Sequence, residues 1–294
     1  MNYGLYVPNF GAYGDPHNLL ELALIAEHAG WDGMFLWDHV LLHRHSDIPM
    51  VDAWVALSAI AARTSRLRLG PLVTPLARRR PWKVAREIVS LDTLSKGRAV
   101  LGVGLGAPAD AEFECFGEDP ADRVRAEKMD EALTVVAALQ SGEPTSYAGA
   151  HFTVSDVRFV PTPVQRPHVP IWLAGFHPNV RPLRRAAQWQ GVFPLRPPST
   201  GAAHVDADEV LWSTMWLSPT QLGECVDIIR RYRPSLAGFD VVASGGTRSD
   251  DRAAAKAHVE QFGEVGATWW LEWLDEQCCS YPAMLEHIRR GPPR

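Results

Sequence analysis

Apolar positions along this chain come in two alternating rhythms. Short, nearly continuous apolar runs cover Asn2 to Val7, Gly33 to Trp37, Leu67 to Val73, Arg98 to Gly104, Ile171 to Ala174, Gly191 to Pro194, Phe239 to Ala243 and Thr268 to Glu272. Between them lie longer stretches with helical spacing: Asn18 to Ala29, Asp52 to Arg63, Pro81 to Leu94, Asp122 to Leu139, Val180 to Gln188, Pro219 to Tyr232, Asp251 to Phe262 and Tyr281 to Ile288. Strands buried on both faces read as continuous apolar runs, whereas a helix covering them shows a 3.6-residue period. The organising unit is Leu67 to Gly106, a strand, a helix and a strand within about forty residues, which predicts a right-handed βαβ crossover. Repeated eight times, this alternation predicts an α/β fold, a (β/α)8 TIM barrel, as one domain over residues 1–294. Residues 142–170 break the rhythm with β-like pieces around Gly149 and a proline-rich connector, so a short hairpin insertion is expected after the fourth unit. The competing doubly wound sheet would place a glycine-rich turn after the first strand, and Val7-Pro8-Asn9-Phe10-Gly11 is not one.

Composition narrows the function. A net charge of −5 gives no electrostatic reason to expect nucleic acid or an anionic membrane. Apolar stretches are too short to span a bilayer, and the first ten residues, MNYGLYVPNF, do not have the form of a secretory signal. The four cysteines, two of them adjacent at 278 and 279, lack the spacing of a disulfide or metal framework, so a cytoplasmic protein with reduced thiols is expected.

In a barrel, chemistry gathers where strands meet their following loops at the carboxyl ends. Asp38 and His39 fall there after the second strand, and a histidine at such a place can act as general acid or base. Thr74 and the glycines 104 and 106 come together at the same mouth. GVGLG (Gly102 to Gly106) is followed by Pro108 rather than a helix start, so it signals either backbone approach to a flat ligand or tight barrel packing. Gly175-Phe176-His177-Pro178-Asn179 lies between a strand and its helix and is a candidate anion site. Arg78-Arg79-Arg80 lies on the ligand side, either steering an anion or simply solvated. His43 and His45 form an HxH pair in a polar loop without a downstream ligand set, so no metal is expected. Residues 196–208 read as a mobile substrate-side loop, and 209–216 as a short element. Within the last strand, alternation puts Trp269, Leu271 and Trp273 on one face, opposite Trp270 and Glu272.

Several segments together resemble the bacterial-luciferase-like, flavin-dependent oxidoreductases. They are GLYVPNFG, AEHAGWDGMFLWDHV (Ala26 to Val40), LGPLVTP (Leu69 to Pro75), RRPWKVAREIVSLDTLSKGRAVLGVGLG (Arg79 to Gly106), FGEDPADRVRAEKMDEAL (Phe116 to Leu133), PIWLAG (Pro170 to Gly175) and RRAAQWQGVFP (Arg184 to Pro194). The resemblance implies the same barrel, with a flavin or deazaflavin at the carboxyl ends of the strands and a non-prolyl cis peptide near Leu72-Val73. By position it places Val73, Thr74, Gly104 and Gly106 against the ring. Gly175, Phe176 and His177 would lie at the phosphate, helped by Arg123, and Asp38 and His39 would be the catalytic groups. Phe176 stands where such proteins often carry Ser or Gly, and the insertion is short for a long substrate lid. The activity implied first is monooxygenation of a small organic molecule with O₂ and reduced FMN from a partner flavin reductase. The alternatives are hydride transfer with the deazaflavin coenzyme, in which His39 deprotonates an alcohol, and a non-catalytic flavin carrier. A metal-dependent barrel hydrolase using His43 and His45 is a weaker option outside the family. Family members often pair as homodimers through helices 2 and 3.

Overall fold

The computed structural model describes residues 1–197, 212–247, 251–277 and 280–294. Residues 198–208 of the expected loop, the stretch 209–211 and the adjacent Cys278-Cys279 lie outside them. In chain order the strands are β1 (Asn2–Val7), β2 (Gly33–Leu36), β3 (Arg68–Pro71), β4 (Thr74–Pro75), β5 (Leu101–Gly104), β6 (Thr145–Ala148), β7 (Thr153–Val157), β8 (Ile171–Phe176), β9 (Gly191–Leu195), β10 (Asp240–Gly245) and β11 (Trp269–Trp273). The helices are α1 (Pro16–His28), α2 (Ala53–Arg63), α3 (Pro81–Ser95), α4 (Ala109–Glu112), α5 (Asp122–Leu139), α6 (Val180–Ala186), α7 (Pro219–Arg230), α8 (Arg252–Glu264) and α9 (Tyr281–Arg289).

Nine strands form one parallel sheet in the order β3-β2-β1-β11-β10-β9-β8-β5-β4. Its two ends, β3 and β4, are halves of a single run of chain, interrupted at the Leu72–Val73 peptide, which is cis. The barrel closes across that run. Leu69 N donates to Arg98 O at 3.2 Å and Val100 N to Leu69 O at 2.9 Å, while Thr74 and Pro75 pair with Val103 and Gly104. Counted as runs of chain, the sheet is the expected eight-stranded barrel with helices outside it.

Local chemistry sets the helix starts. Asp15 accepts from His17 N, with Pro16 in the first turn, and Asp52 accepts from Trp54 N and Val55 N at 2.9 and 3.0 Å. Ser218 and Gln221 bond reciprocally to open α7.

Two apolar layers meet across the strands. Inside the barrel, Tyr6, Phe35, Trp37, Leu72, Val100, Trp172, Phe193, Val242, Trp269, Leu271 and Trp273 form one cluster. Large rings fill this interior, so it is a packed core rather than a pore. Outside, Trp270 packs on Phe262 of α8 with ring centroids 5.1 Å apart. The alternation expected for the last strand is therefore the observed one. β6 and β7 form a separate antiparallel pair, tied to α5 by Glu131, which accepts from the backbone N–H groups of Ala150, His151 and Phe152 at 2.7, 3.0 and 3.0 Å.

Two differences from the sequence reading bear on function. β8 runs through Phe176, because Gly175 and Phe176 stay in register with Pro194 and Leu195. The stretch after Gly106, expected to be loop, contains the one-turn helix α4. Among the described residues no helix is long and apolar enough to cross a membrane.

Candidate active site at the carboxyl ends of the strands

β2 delivers Asp38 and His39 to the rim, and Asn9 from the loop after β1 fixes the main chain there. Asn9 Nδ2 donates to His39 O at 2.9 Å and Asn9 Oδ1 accepts from His39 N at 3.3 Å. The His39 ring lies 6.0 Å from Phe10 and 5.8 Å from Trp37, with its side chain 17% exposed. Its Nδ1 is 3.0 Å from Oε1 of Glu112 on α4.

Glu112 is 1% exposed, and its carboxylate lies among two N–H groups and the His39 ring nitrogen. Oε1 accepts from Val40 N at 3.0 Å as well as facing His39, and Oε2 accepts from Arg78 Nε at 2.7 Å. Burial pushes its carboxyl pKa up, but the His39 bond and charge, the Arg78 charge and the Val40 N–H together outweigh it and hold the carboxyl below the usual glutamate range.

Asp38 is 4% exposed, and its carboxylate accepts from Trp54 Nε1 at 3.1 Å, Thr74 Oγ1 at 2.8 Å and Arg79 at 3.0 to 3.1 Å. Its carbonyl accepts from Arg78. Arg79 also pairs with Glu87 at 3.2 Å and lies over the Trp54 ring, 5.3 Å from its centroid. Thus Arg78 and Arg79, read from sequence as steering or solvated groups, are partly buried partners of Asp38 and Glu112.

Gly102 and Gly104 are closely packed by the neighbouring strand. A Cβ on Gly102 would lie 2.5 Å from Leu72 Cδ1 and from Pro71 O, and one on Gly104 would lie 2.7 Å from Val73 Cγ2. Gly106 takes a positive φ of 86°, which glycine adopts without strain. Its carbonyl is bonded by Arg125, whose Nε also donates to Pro120 O at 2.9 Å. Arg123, expected near a phosphate, is 87% exposed and pairs with Glu127 at 3.3 Å. Helical phase explains the exchange, since two positions along α5 turn the side chain to the opposite side. Thr74 is fully buried with its hydroxyl on Asp38.

At the expected anion loop, His177 N already donates to Leu195 O at 2.8 Å, and His177 Nε2 lies 2.6 Å from Glu224 of α7. The mouth is instead apolar. Phe10, Val73, Ala174, Phe176 and Trp216 are partly buried and pack on the interior aromatic cluster. Trp216 Nε1 is a buried N–H without an acceptor among the described residues. At the opposite, amino-terminal end of the barrel, a cavity of about 420 Å³ is lined by Arg68, Gln190, Asp240 and Thr268. Burial pushes the Asp240 carboxyl up there, against bonds from Thr268 and Trp172. Among the described residues no three His, Cys, Asp or Glu side chains gather as a metal-ligand set.

The arrangement sets partly buried apolar side chains beside a histidine–carboxylate pair, at the carboxyl ends of the strands of a barrel whose third strand is interrupted by a cis peptide. Residues 1–274 match the model of the luciferase-like monooxygenases. The chain belongs to that family. An F420-dependent glucose-6-phosphate dehydrogenase of Microbacterium testaceum is 34% identical over 164 residues, 55% of this chain and 48% of that protein. The chain therefore spans about half the length of the curated relatives it matches. Among solved structures, a monooxygenase from Streptomyces bottropensis superposes with a TM-score of 0.75 at 18% identity, over 98% of this chain and 97% of that one. An F420-dependent secondary alcohol dehydrogenase, solved with an F420–acetone adduct, has a TM-score of 0.72 at 18% identity, over 92% and 93%. At such identities the two superpositions establish the shared fold.

Glu112, the acid that faces His39, is the candidate site residue that sequence reasoning missed. A single acid between Ala111 and Phe113, both fully buried, directly after Pro108, was the available signal.

Proposed function

We propose that this luciferase-like protein is an oxidoreductase that transfers hydride between a small organic alcohol and a deazaflavin coenzyme. The reading of FMN-dependent monooxygenation is second to it. The observation that carries the proposal is the His39–Glu112 pair. An ionised carboxylate can only accept, so the 3.0 Å contact favours the imidazole proton on Nδ1 and leaves Nε2 as the nitrogen that can act as base. A base at this place suits removal of a hydroxyl proton as hydride departs. The F420-dependent relatives support the same coenzyme.

The residues present fit such a coenzyme. The half-buried ring of Phe10, Val73, Ala174, Phe176 and Trp216 offers an apolar floor beside His39, and the unpaired Trp216 N–H offers one donor to a polar heteroaromatic edge. Val73, Gly104 and Gly106 would face the ring, and Gly175, Phe176 and His177 the polar tail. When bound, the deazaflavin supplies the hydride acceptor. His39 takes the alcohol proton on Nε2, and Glu112 stabilises the resulting imidazolium through Nδ1. Asp38 holds Thr74, Trp54 and Arg79 in place around that pair, and the aromatic walls exclude water.

Anaerobic incubation with oxidised deazaflavin and a panel of primary, secondary and sugar alcohols tests the reading. Loss of the oxidised coenzyme's visible absorbance is expected with at least one alcohol, falling about 10²- to 10⁴-fold in His39→Ala. Absence of any reduction, combined with substrate consumption under reduced FMN and O₂, would establish monooxygenation instead.

A further inference from the structure

We propose that Arg78 is a positioning residue that holds Glu112 as the acceptor for His39 and so decides which imidazole nitrogen is left to meet substrate. The inference takes from the proposed function only that His39 is the proton acceptor.

The guanidinium works through two arms. Nε donates to Glu112 Oε2 at 2.7 Å, and Nη2 donates to the carbonyl of Asp38, the residue immediately before His39. One rigid, planar group thereby braces the imidazole from both sides: through the carboxylate facing Nδ1, and through the main chain that carries the ring. Arg78 is itself nearly buried, with 9% of its side chain exposed.

The surrounding charges leave this task to Arg78. The acids facing the site are Asp38 at the end of β2, Glu112 on α4 and Glu87 on α3. The cations are Arg78 and Arg79 from the turn after β4. Arg79 is engaged by Asp38 and Glu87 and stacked on Trp54, so it does not reach Glu112 within ion-pair distance. Phe10 and Trp37 bring no charge, and Asn9 is committed to the His39 main chain. Arg78 is the guanidinium that balances Glu112.

The two oxygens of Glu112 show how the arrangement works. Oε1 receives Val40 N–H and faces His39 Nδ1, and Oε2 receives Arg78. The remaining lone-pair site lies on Oε2, where the Arg78 charge at 2.7 Å disfavours a proton. With Arg78 in place Glu112 accepts, and His39 must present Nδ1–H to it. Without Arg78, Oε2 can take a proton, Glu112 can become a donor, and the imidazole can turn over to the other tautomer. Lysine would keep the charge but, as a single centre, could not hold the carboxylate and the Asp38 carbonyl together.

The test uses the full chain, without coenzyme or substrate, so that its failure is separable from a failure of hydride transfer. Long-range ¹H–¹⁵N spectra of labelled histidine report the His39 tautomer, and ¹³C spectra of labelled glutamate report the Glu112 titration. Wild type is expected to show a single Nδ1–H tautomer at neutral pH. Arg78→Gln is expected to show a mixture, with the Glu112 midpoint raised by about one pH unit or more. A folded Arg78→Gln protein with the wild-type tautomer and midpoint overturns the proposal. Should that variant not fold, Arg78→Lys decides. Exchange of the Nδ1 proton about tenfold faster than wild type supports the two-armed role, and an unchanged exchange rate overturns it.

Discussion

Gly70 shows how closely single residues are constrained where the barrel closes. A Cβ there would sit 1.8 Å from Val100 O, a backbone atom that cannot swing aside as a side chain could. Gly70→Ala is therefore expected to lose about 3 kcal/mol or more, at the upper end of overpacking costs, read as a lower denaturant midpoint at unchanged slope. The same logic separates Arg125 from Arg123. The first is 4% exposed and bonded to main-chain carbonyls at the rim, while the second is solvated on the outer surface of the same helix. At this scale, chemical type alone says little. Arg78, Arg79, Arg123 and Arg125 share one side chain and have distinct surroundings.

Among the elements, the short ones carry the site and the long ones carry the barrel. α4 is four residues long, too short to be stable by itself, and persists because Ala111 and Phe113 are buried and Glu112 is bonded on both oxygens. The β6–β7 pair is held to the barrel by a comparable device, with the Glu131 carboxylate collecting three successive backbone N–H groups. Those bonds hold its carboxyl below the usual range, against the opposing effect of burial. Glu131→Ala is expected to speed amide hydrogen exchange at residues 150–152 while leaving exchange in the barrel strands unchanged. Equal acceleration throughout would show that the pair is not a separately opening unit.

Over the whole molecule, acid sensitivity should follow the buried carboxylates that unite distant segments. Glu272 of β11 is fully buried and accepts from Thr247 N at 2.6 Å and Thr247 Oγ1 at 2.7 Å, with His287 Nε2 of α9 3.3 Å away. Burial works to raise its pKa, but the His287 and Thr247 interactions prevail and lower it. A carboxyl lowered in the folded state stabilises the fold above its unfolded pKa, and that contribution disappears as pH falls through the folded value. Glu272→Gln should thus cost about 3 kcal/mol at neutral pH, and the gap to wild type should narrow steadily below about pH 4. Denaturant titrations across that range measure it. A gap independent of pH would mean that the carboxylate's charge contributes nothing.

Much of this architecture can be read from the chain alone, because it rests on local rules. Nearly continuous apolar runs and a period-3.6 apolar pattern locate the strands and helices. Alternation along Trp269 to Trp273 separates the inner face from the outer, and the strand-to-loop junction marks Asp38 and His39 as lying at the working end. What those residues touch is another matter. Glu112 meets His39 across seventy-three positions of sequence, and Arg78 reaches it from a third segment. No periodicity records such a meeting, since it depends on how the barrel closes around residues 68–75. The sequence by itself determined which segments form the main strands and helices and which end of the barrel receives Asp38 and His39. The tertiary structure alone decided which acid faces the histidine, which arginines are buried, and which glycines serve packing, because burial and charge partnership depend on distance in space and the chain encodes that distance only once it has folded.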